Sequence, residues 1–242
     1  KELSYWQAVV QASPGDAEAS VELERLYSVL ERWPSLADLL KERLKAFSDD
    51  QVAEKVEILD RMIAIFRDKM HAEPKVLQTY QMILDIDPGN VGAIDALLHQ
   101  YEAAGRWPDY AKVLQRKIDN ATDIGEQISL REMQAQLMET RFANAVEALK
   151  AYEKILELAP ERQDVIEKLK DLYDKRRDFE NLIRLRKIEA ERENDARKRA
   201  GIYVELAIMA TERLRKFPVA IELWEQVLEI DETHGEALKN LE

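Results

Sequence analysis

The sequence predicts an all-α chain of stacked helical hairpins, about fourteen helices and no strand, and three observations carry that expectation. One phrase recurs along all 242 residues: WQAVVQASPGD from Trp6, YQMILDIDPGN from Tyr80, YEKILELAPER from Tyr152 and WEQVLEIDETH from Trp224, spaced by 74, 72 and 72 residues. Self-similarity at a fixed period marks a repeat architecture, in which each unit buries its apolar face only against its neighbours. Between the copies, apolar residues return at three- and four-residue steps, the period of a helix with one buried face. Composition agrees: 46% hydrophobic residues with 35% charged residues and only 7 glycines suits amphipathic helices and argues against disorder.

Within each phrase the aromatic is followed three and four residues later by an aliphatic pair: Val9-Val10, Ile83-Leu84, Ile155-Leu156 and Val227-Leu228. Eight residues after the aromatic stand Pro14, Pro88 and Pro160, with Glu232 in the last copy. Leu23 and Tyr27, Leu97 and Tyr101, and Leu169 and Tyr173 follow in turn, then Leu241. These residues resemble the tetratricopeptide repeat, whose units of about 34 residues are each two antiparallel helices. AIELWEQVLEID, from Ala220 to Asp231, is the most similar stretch, and EALKAYEKILELAP, from Glu147 to Pro160, comes next. The period spans about two such units, so close and divergent repeats alternate; Glu24, Leu98 and Lys170 stand where the family prefers a small residue. The resemblance implies a right-handed α-α superhelical solenoid, a single domain over 1–242 with partial repeats at both ends.

In chain order, residues 1–12 read as a lone second helix, broken by Ser13-Pro14-Gly15-Asp16, with Asp16 the N-cap of the next helix. That helix runs to about Leu30, with Leu23, Leu26, Tyr27 and Leu30 on one buried face. Trp33-Pro34 opens the third helix, since a proline in the first turn removes an N–H that has no partner there. Leu36, Leu39, Leu40 and Leu44 fill its inner side. Ser48-Asp49-Asp50 caps a longer helix over 51–69 that carries Val52, Val56, Leu59, Ile63 and Phe66 inward. His71 to Pro74 turn into the helix of Tyr80, and Asp87-Pro88-Gly89-Asn90 is the corner after it. Gly105 falls where a helix end favours a left-handed residue, just before Trp107-Pro108. Asn120 to Gly125 break the chain again, and Ile128, Leu130, Met133 and Leu137 mark the next inner face. From Asn144 to Tyr173 the close repeat returns, and Lys175 to Asp178 make its turn into a charged helix from Phe179 to Glu193. Asp195 starts a helix to about Arg215, with Tyr203, Leu206, Ala207 and Ala210 inward. Phe217-Pro218 opens the last full helix, and His234 begins one more. Tyr80, Tyr152 and Trp224 are expected to be buried at equivalent places.

No constellation of reactive groups accompanies this architecture. His71, His99 and His234 fall in different repeats, none paired at metal-ligand or triad spacing. Asp85-x-Asp87-x-Gly89-Asn90 opens like a calcium loop but puts Asn90 where glycine and Ala96 where a bidentate glutamate would be needed. Neither a phosphate-cradling glycine loop nor a serine elbow is present, so the expectation is no enzyme, no cofactor and no metal. Trp6, Trp33, Trp107 and Trp224 share their repeat positions with Tyr80, Tyr152 and Phe179, which reads as packing rather than base stacking. The net charge of −12, from 36 Lys and Arg against 48 Asp and Glu, disfavours nucleic acid. Apolar runs fall short of the ~18–20 residues that span a bilayer, so no membrane insertion is expected. The absence of cysteine fits a reducing compartment, and a cytoplasmic location is expected. Because the chain opens inside a second helix and stops inside a first, it reads as a fragment of a larger protein.

The resemblance implies a non-catalytic scaffold that binds a protein or peptide in a concave groove lined by the first helix of each pair. Carried over to the three helices whose Leu and Tyr set the register, the groove positions are Glu18, Val21, Glu22 and Arg25 in the first, and Asp95, Ala96, His99 and Glu102 in the second. The third contributes Asp164, Glu167, Lys168, Asp171 and Asp174. The Lys, Asn and Arg of the family's carboxylate-holding clamp do not stand there. The surface is mainly acidic, which favours a basic, Lys/Arg-bearing segment through charge complementarity. Two other readings remain open: a half-a-TPR scaffold of an RNA-processing assembly, whose Trp-rich phrases resemble WEQVLEID, and a segment that regulates an enzyme domain lying outside this chain.

Overall fold

The computed structural model describes residues 1–13 and 16–242, so Pro14 and Gly15 of the expected first corner lie outside the described residues. Among the described residues the chain is all-α, with fourteen α-helices, and it divides into two compact units, Lys1–Thr122 and Asp123–Glu242. The first unit holds α1 (Glu2–Ala12), α2 (Ala17–Val29), α3 (Trp33–Lys45), α4 (Val52–Ala64), α5 (Glu73–Ile86), α6 (Val91–Ala103) and α7 (Trp107–Asn120). The second holds α8 (Ile124–Thr140), α9 (Ala145–Leu158), α10 (Gln163–Lys175), α11 (Phe179–Arg192), α12 (Ala196–Met209), α13 (Phe217–Ile230) and α14 (Gly235–Leu241). Within each unit every helix packs on the next. The spacing of 74 rather than 72 residues arises between α3 and α4, where the connection is 46–51 against 121–123 and 193–195 later, and α3 is one residue shorter than α7 and α11.

Helix starts follow the local chemistry. The first N–H groups of a helix have no carbonyl partner, and short polar side chains supply one. Asp16 accepts from the Ala19 N–H at 2.9 Å, Asn90 from Ala93 at 3.0 Å, Asp123 from Glu126 at 2.8 Å and Asn144 from Glu147 at 3.2 Å. His234 does the same through Nδ1, accepting from Ala237 at 3.3 Å, which gives that histidine a capping role. At α3, α5, α7 and α13, which lack a side-chain cap, a proline occupies the first turn instead. Helices α1, α4 and α10 have neither device. The cap expected from Ser48-Asp49-Asp50 is not formed at α4, because the Ser48 hydroxyl turns to the Asp50 and Gln51 side chains and Gln51 takes the N-cap place.

Helix ends repeat with the sequence period. The N–H groups of Arg32, Arg106 and Asp178 donate to the carbonyls of Tyr27, Tyr101 and Tyr173 at 2.8, 2.8 and 2.9 Å. Each follows a left-handed residue: Glu31 (φ 53°), Gly105 (φ 64°) and Arg177 (φ 56°). This is the Schellman closure, with the repeat's tyrosine as its carbonyl. A second left-handed set comprises His71, Ala143 and Arg215. There the N–H groups of Ala72, Asn144 and Lys216 reach one residue further back, to Phe66, Met138 and Ala210. After α4 and α12 the helix continues as a π-helical turn, Ile65–Lys69 and Ala210–Leu214, which absorbs the additional residue.

Equivalent positions of the second helices are buried together: Val76, Ala148 and Ala220, then Ile83, Ile155 and Val227. Tyr152 and Trp224 are buried as expected, whereas Tyr80 is only half-buried. The Tyr152 hydroxyl donates to Glu139 Oε2 at 3.0 Å. The residue at the corresponding place before Tyr80 is Arg67, a donor occupied by Asp68, so the Tyr80 hydroxyl has no acceptor there and its ring stays partly in water. Two further expectations fail. Leu30 is exposed because it is the C-cap beyond the packed part of α2, and Met133 is exposed because it shares its register with the solvent-facing Arg61 and Glu205. The aromatics that open second helices pack as expected: Lys69 lies over the Trp33 ring at 5.2 Å and Arg213 over Phe179 at 5.4 Å, both from corresponding places one helix later.

The positions where the family prefers a small residue take a different solution here. Glu24 pairs with Arg43 at 2.9 Å and also with Arg61, while Lys170 pairs with Glu189 at 3.0 Å. Arg43 and Glu189 are themselves equivalent, so the two units use the same ion pair with its charges reversed. Leu98 fills the intermediate copy with apolar contact instead and is buried.

Candidate protein-binding surface

The thirteen residues expected to line a groove lie on α2, α6 and α10, all on the solvent side of their helices. The opposite faces are committed to core: Ala19, Leu23, Leu26 and Tyr27 on α2, Ala93, Ile94, Leu97, Leu98 and Tyr101 on α6, and Val165, Ile166, Leu169, Leu172 and Tyr173 on α10. Glu22 and Ala96 are half-buried and the other eleven are exposed or nearly so.

In the first unit, Arg25 bridges Glu22 at 2.8 Å and Glu2 of α1 at 3.0 Å. Lys117 of α7 reaches Asp95 at 2.7 Å. Glu18, His99 and Glu102 make no ion pair among the described residues. Between α2 and α6 in sequence lies α4, whose register the repeat alone did not reveal. Phe66 accepts the N–H after a left-handed residue as Tyr27 does, and that correspondence puts Glu57, Asp60, Arg61 and Ala64 at the places of Glu18, Val21, Glu22 and Arg25. The recurrence of His71, Ala143 and Arg215 at the sequence period was the signal available for these positions, obscured because none of the three is glycine.

In the second unit, α10 is tied to its neighbours through charge. Arg162, at its N-cap, grips both oxygens of Asp164 at 2.8 and 2.6 Å and reaches Glu132 of α8 at 2.6 Å. That guanidinium hydrogen bond holds the Asp164 carboxyl down to about 2. Lys168 lies 3.8 Å from Glu139 of α8, and Asp174 lies 3.5 Å from Arg213 in the π-turn after α12. Glu167 pairs with Lys170 at 2.8 Å and Asp171 with Lys175 at 2.6 Å. The structure therefore brings α8, α10 and the end of α12 together on one mixed-charge surface, with a carboxylate row along α10. By the same register Met133 of α8 and Val204 and Ile208 of α12 contribute apolar positions beside it, which were absent from the sequence expectation.

No family model matches the chain, and no curated protein does. Solved structures similar to it include YrrB, described as a TPR protein with an unusual peptide-binding site, at 12% identity and a TM-score of 0.34 over 97% of this chain and 96% of that one. The C-terminal part of a TPR repeat-containing protein from Cytophaga hutchinsonii is similar at 14% identity and 0.35 over 99% and 93%. A tetratricopeptide repeat protein from Parabacteroides merdae is similar at 13% identity and 0.34 over 99% and 89%. No helix among the described residues is long and apolar enough to cross a membrane. The recurring helix pair of this chain, with its Leu and Tyr in the first helix and an aromatic in the second that is buried at Tyr152 and Trp224, is an all-α helical repeat similar to the tetratricopeptide repeat.

Proposed function

We propose that this chain is a non-catalytic protein-binding scaffold whose partner presents a basic, Lys/Arg-bearing segment to the exposed faces of the first helices, α10 above all. The observation that supports the reading is the row of Asp164, Glu167, Asp171 and Asp174 along the solvent side of a helix whose other side is wholly core. Glu167, Asp171 and Asp174 each engage a neighbouring cation through one oxygen, which leaves the second oxygen of each open to an incoming donor. Exposed pairs of this kind contribute only about 0–1 kcal/mol, so an incoming lysine or arginine exchanges with them at little cost. Charge complementarity of this sort sets the rate of encounter and the choice of partner more than the final affinity.

The test is to reverse Asp164, Glu167 and Asp171 to Lys and measure binding of a partner recovered with the wild-type chain. Affinity is expected to fall about ten-fold or more and its salt dependence to flatten, with far-UV circular dichroism unchanged. Unchanged affinity and salt slope would move the interface away from α10.

A further inference from the structure

An opening between successive second helices occurs in each unit, and the two openings differ in what lines them. In the second unit a depression of about 360 Å³ beside α11 is lined by residues of that helix, including Ile183, Arg184 and Lys187, by Asp178 before it and by Val219 of α13. Lys187 closes across it onto Glu222, and Leu223 is buried beneath. In the first unit the corresponding residues on α3 and α5 are Ala37, Asp38, Lys41, Lys75, Gln78 and Thr79. Ala37 and Thr79 are smaller than Ile183 and Leu223, so the opening reaches down to Met62 and Phe66 below and encloses about 210 Å³, with Met82 on its wall. Gln78 stands in place of Glu222, which leaves Lys41 with no carboxylate partner among the described residues. Lys75, in place of Val219, adds a second ammonium, held 5.3 Å over the Phe66 ring. Asp38 is the one carboxylate at the rim, and it forms no ion pair among the described residues either.

We propose that this cavity binds a small organic carboxylate with an apolar body of about six carbons. A dry cavity of ~150 Å³ takes up benzene, so this volume holds a six-carbon body and falls short of the ~300 Å³ at which drug-sized sites begin. Met62, Phe66 and Met82 take the apolar body, and Lys41 and Lys75 take the carboxylate at the mouth through charge-assisted hydrogen bonds. The site involves none of the groove residues on α2, α6 or α10, so it stands or falls independently of the basic-partner reading.

The test uses the full chain labelled at its methionine methyl groups and titrated with sodium hexanoate, followed by NMR. The Met62 and Met82 resonances are expected to move and saturate, with 1-hexanol binding about ten-fold more weakly or worse. Lys41→Gln with Lys75→Gln is expected to remove the preference for the acid, and Thr79→Leu, which restores the side chain of the other unit, to abolish binding of both compounds. No movement of these methyls under excess hexanoate, equal affinity for acid and alcohol, or binding retained in Thr79→Leu would each overturn the proposal. If Thr79→Leu does not fold, the exposed lysine pair decides the matter alone. A capped Gly-Glu-Leu-Glu-Gly peptide that moved the same methyls where hexanoate did not would assign the cavity to a polypeptide side chain and overturn it equally.

Discussion

Tyr152 joins two helices through one side chain, and its burial gives that joint a dependence on pH. Its ring is buried in α9, and its hydroxyl donates to Glu139 of α8. Desolvation first, and then the hydrogen bond to that carboxylate, push its ionisation from the ordinary 10.0 up to about 12. A folded-state value above the unfolded one means that the folded chain holds the proton more tightly between those limits. The stabilisation is therefore fully present below pH 10 and is lost as the pH rises to 12. Urea unfolding across about pH 8–12 is expected to show the midpoint falling in that window, and Tyr152→Phe should flatten the fall while costing about 1 kcal/mol at neutral pH for the lost hydrogen bond. An alkaline slope unchanged by the substitution would remove Tyr152 as its source. The tyrosines of the first helices use a related device: Gln7 donates to the Tyr27 hydroxyl at 3.0 Å, and Tyr173 donates to Glu153, the residue equivalent to Gln7. Tyr101 departs from it, because the equivalent Gln81 turns to Asp85 and Arg106 stacks on the Tyr101 ring at 4.7 Å.

At the level of the helical element, the left-handed closures decide where each first helix stops. Of the three Schellman positions only Gly105 carries the residue that enters this conformation without strain. A Cβ at Gly105 would meet only Trp107 Nε1, at an ordinary 3.9 Å, so Gly105→Ala is expected to cost about 1 kcal/mol through the backbone alone. Arg177→Gly should move stability the other way, by about 0.5–1 kcal/mol, since an exposed non-glycine residue is relieved of φ 56°. Chemical denaturation of the two variants checks both signs, and the same sign for both would refute the account. Gly105 was legible in the sequence because glycine announces such a turn. Glu31 and Arg177 were not, because their conformation is imposed by the closing hydrogen bonds. The helix spans over 51–69 and 195–215 were legible as well, but their π-helical last turns were not, since apolar periodicity does not distinguish a final i→i+5 bond from an i→i+4 bond.

For the molecule as a whole, stability in a repeat array is close to a sum of repeat and neighbour terms. The second unit contains its own core: one cluster centres on Ala148, Tyr152, Ile155 and Leu169, and the next on Tyr203, Leu206, Leu223 and Trp224. Both draw only on residues after Asp123. A fragment of residues 123–242 is therefore expected to keep its helical circular dichroism and to unfold cooperatively on heating. A fragment that is unfolded at room temperature would show that these clusters do not suffice.

The order of residues alone dictates the repeat, the helical class, the corners and the close-matching aromatics. These rest on interactions a few residues long, such as Asp16 with Ala19 or Asn90 with Ala93, and on a period that any copy reveals. What the charges do and where space remains are settled in the packed chain. Asp95 meets Lys117 and Lys170 meets Glu189 between helices, at separations of 22 and 19 residues. Along α10, Asp174 meets Arg213 from another helix and Asp164 shares Arg162 with Glu132 of α8, while Glu167 and Asp171 pair with Lys170 and Lys175 of their own helix, so a row that reads as acidic is a row of partly neutralised carboxylates. The cavity above Met62 likewise exists because Ala37 on one helix and Thr79 on another are both small, a coincidence of volumes that no local pattern encodes. Hydrogen bonds within a turn are set by neighbours in sequence, whereas ion pairs and packing volumes are set by whichever side chains the stacking of helices brings face to face.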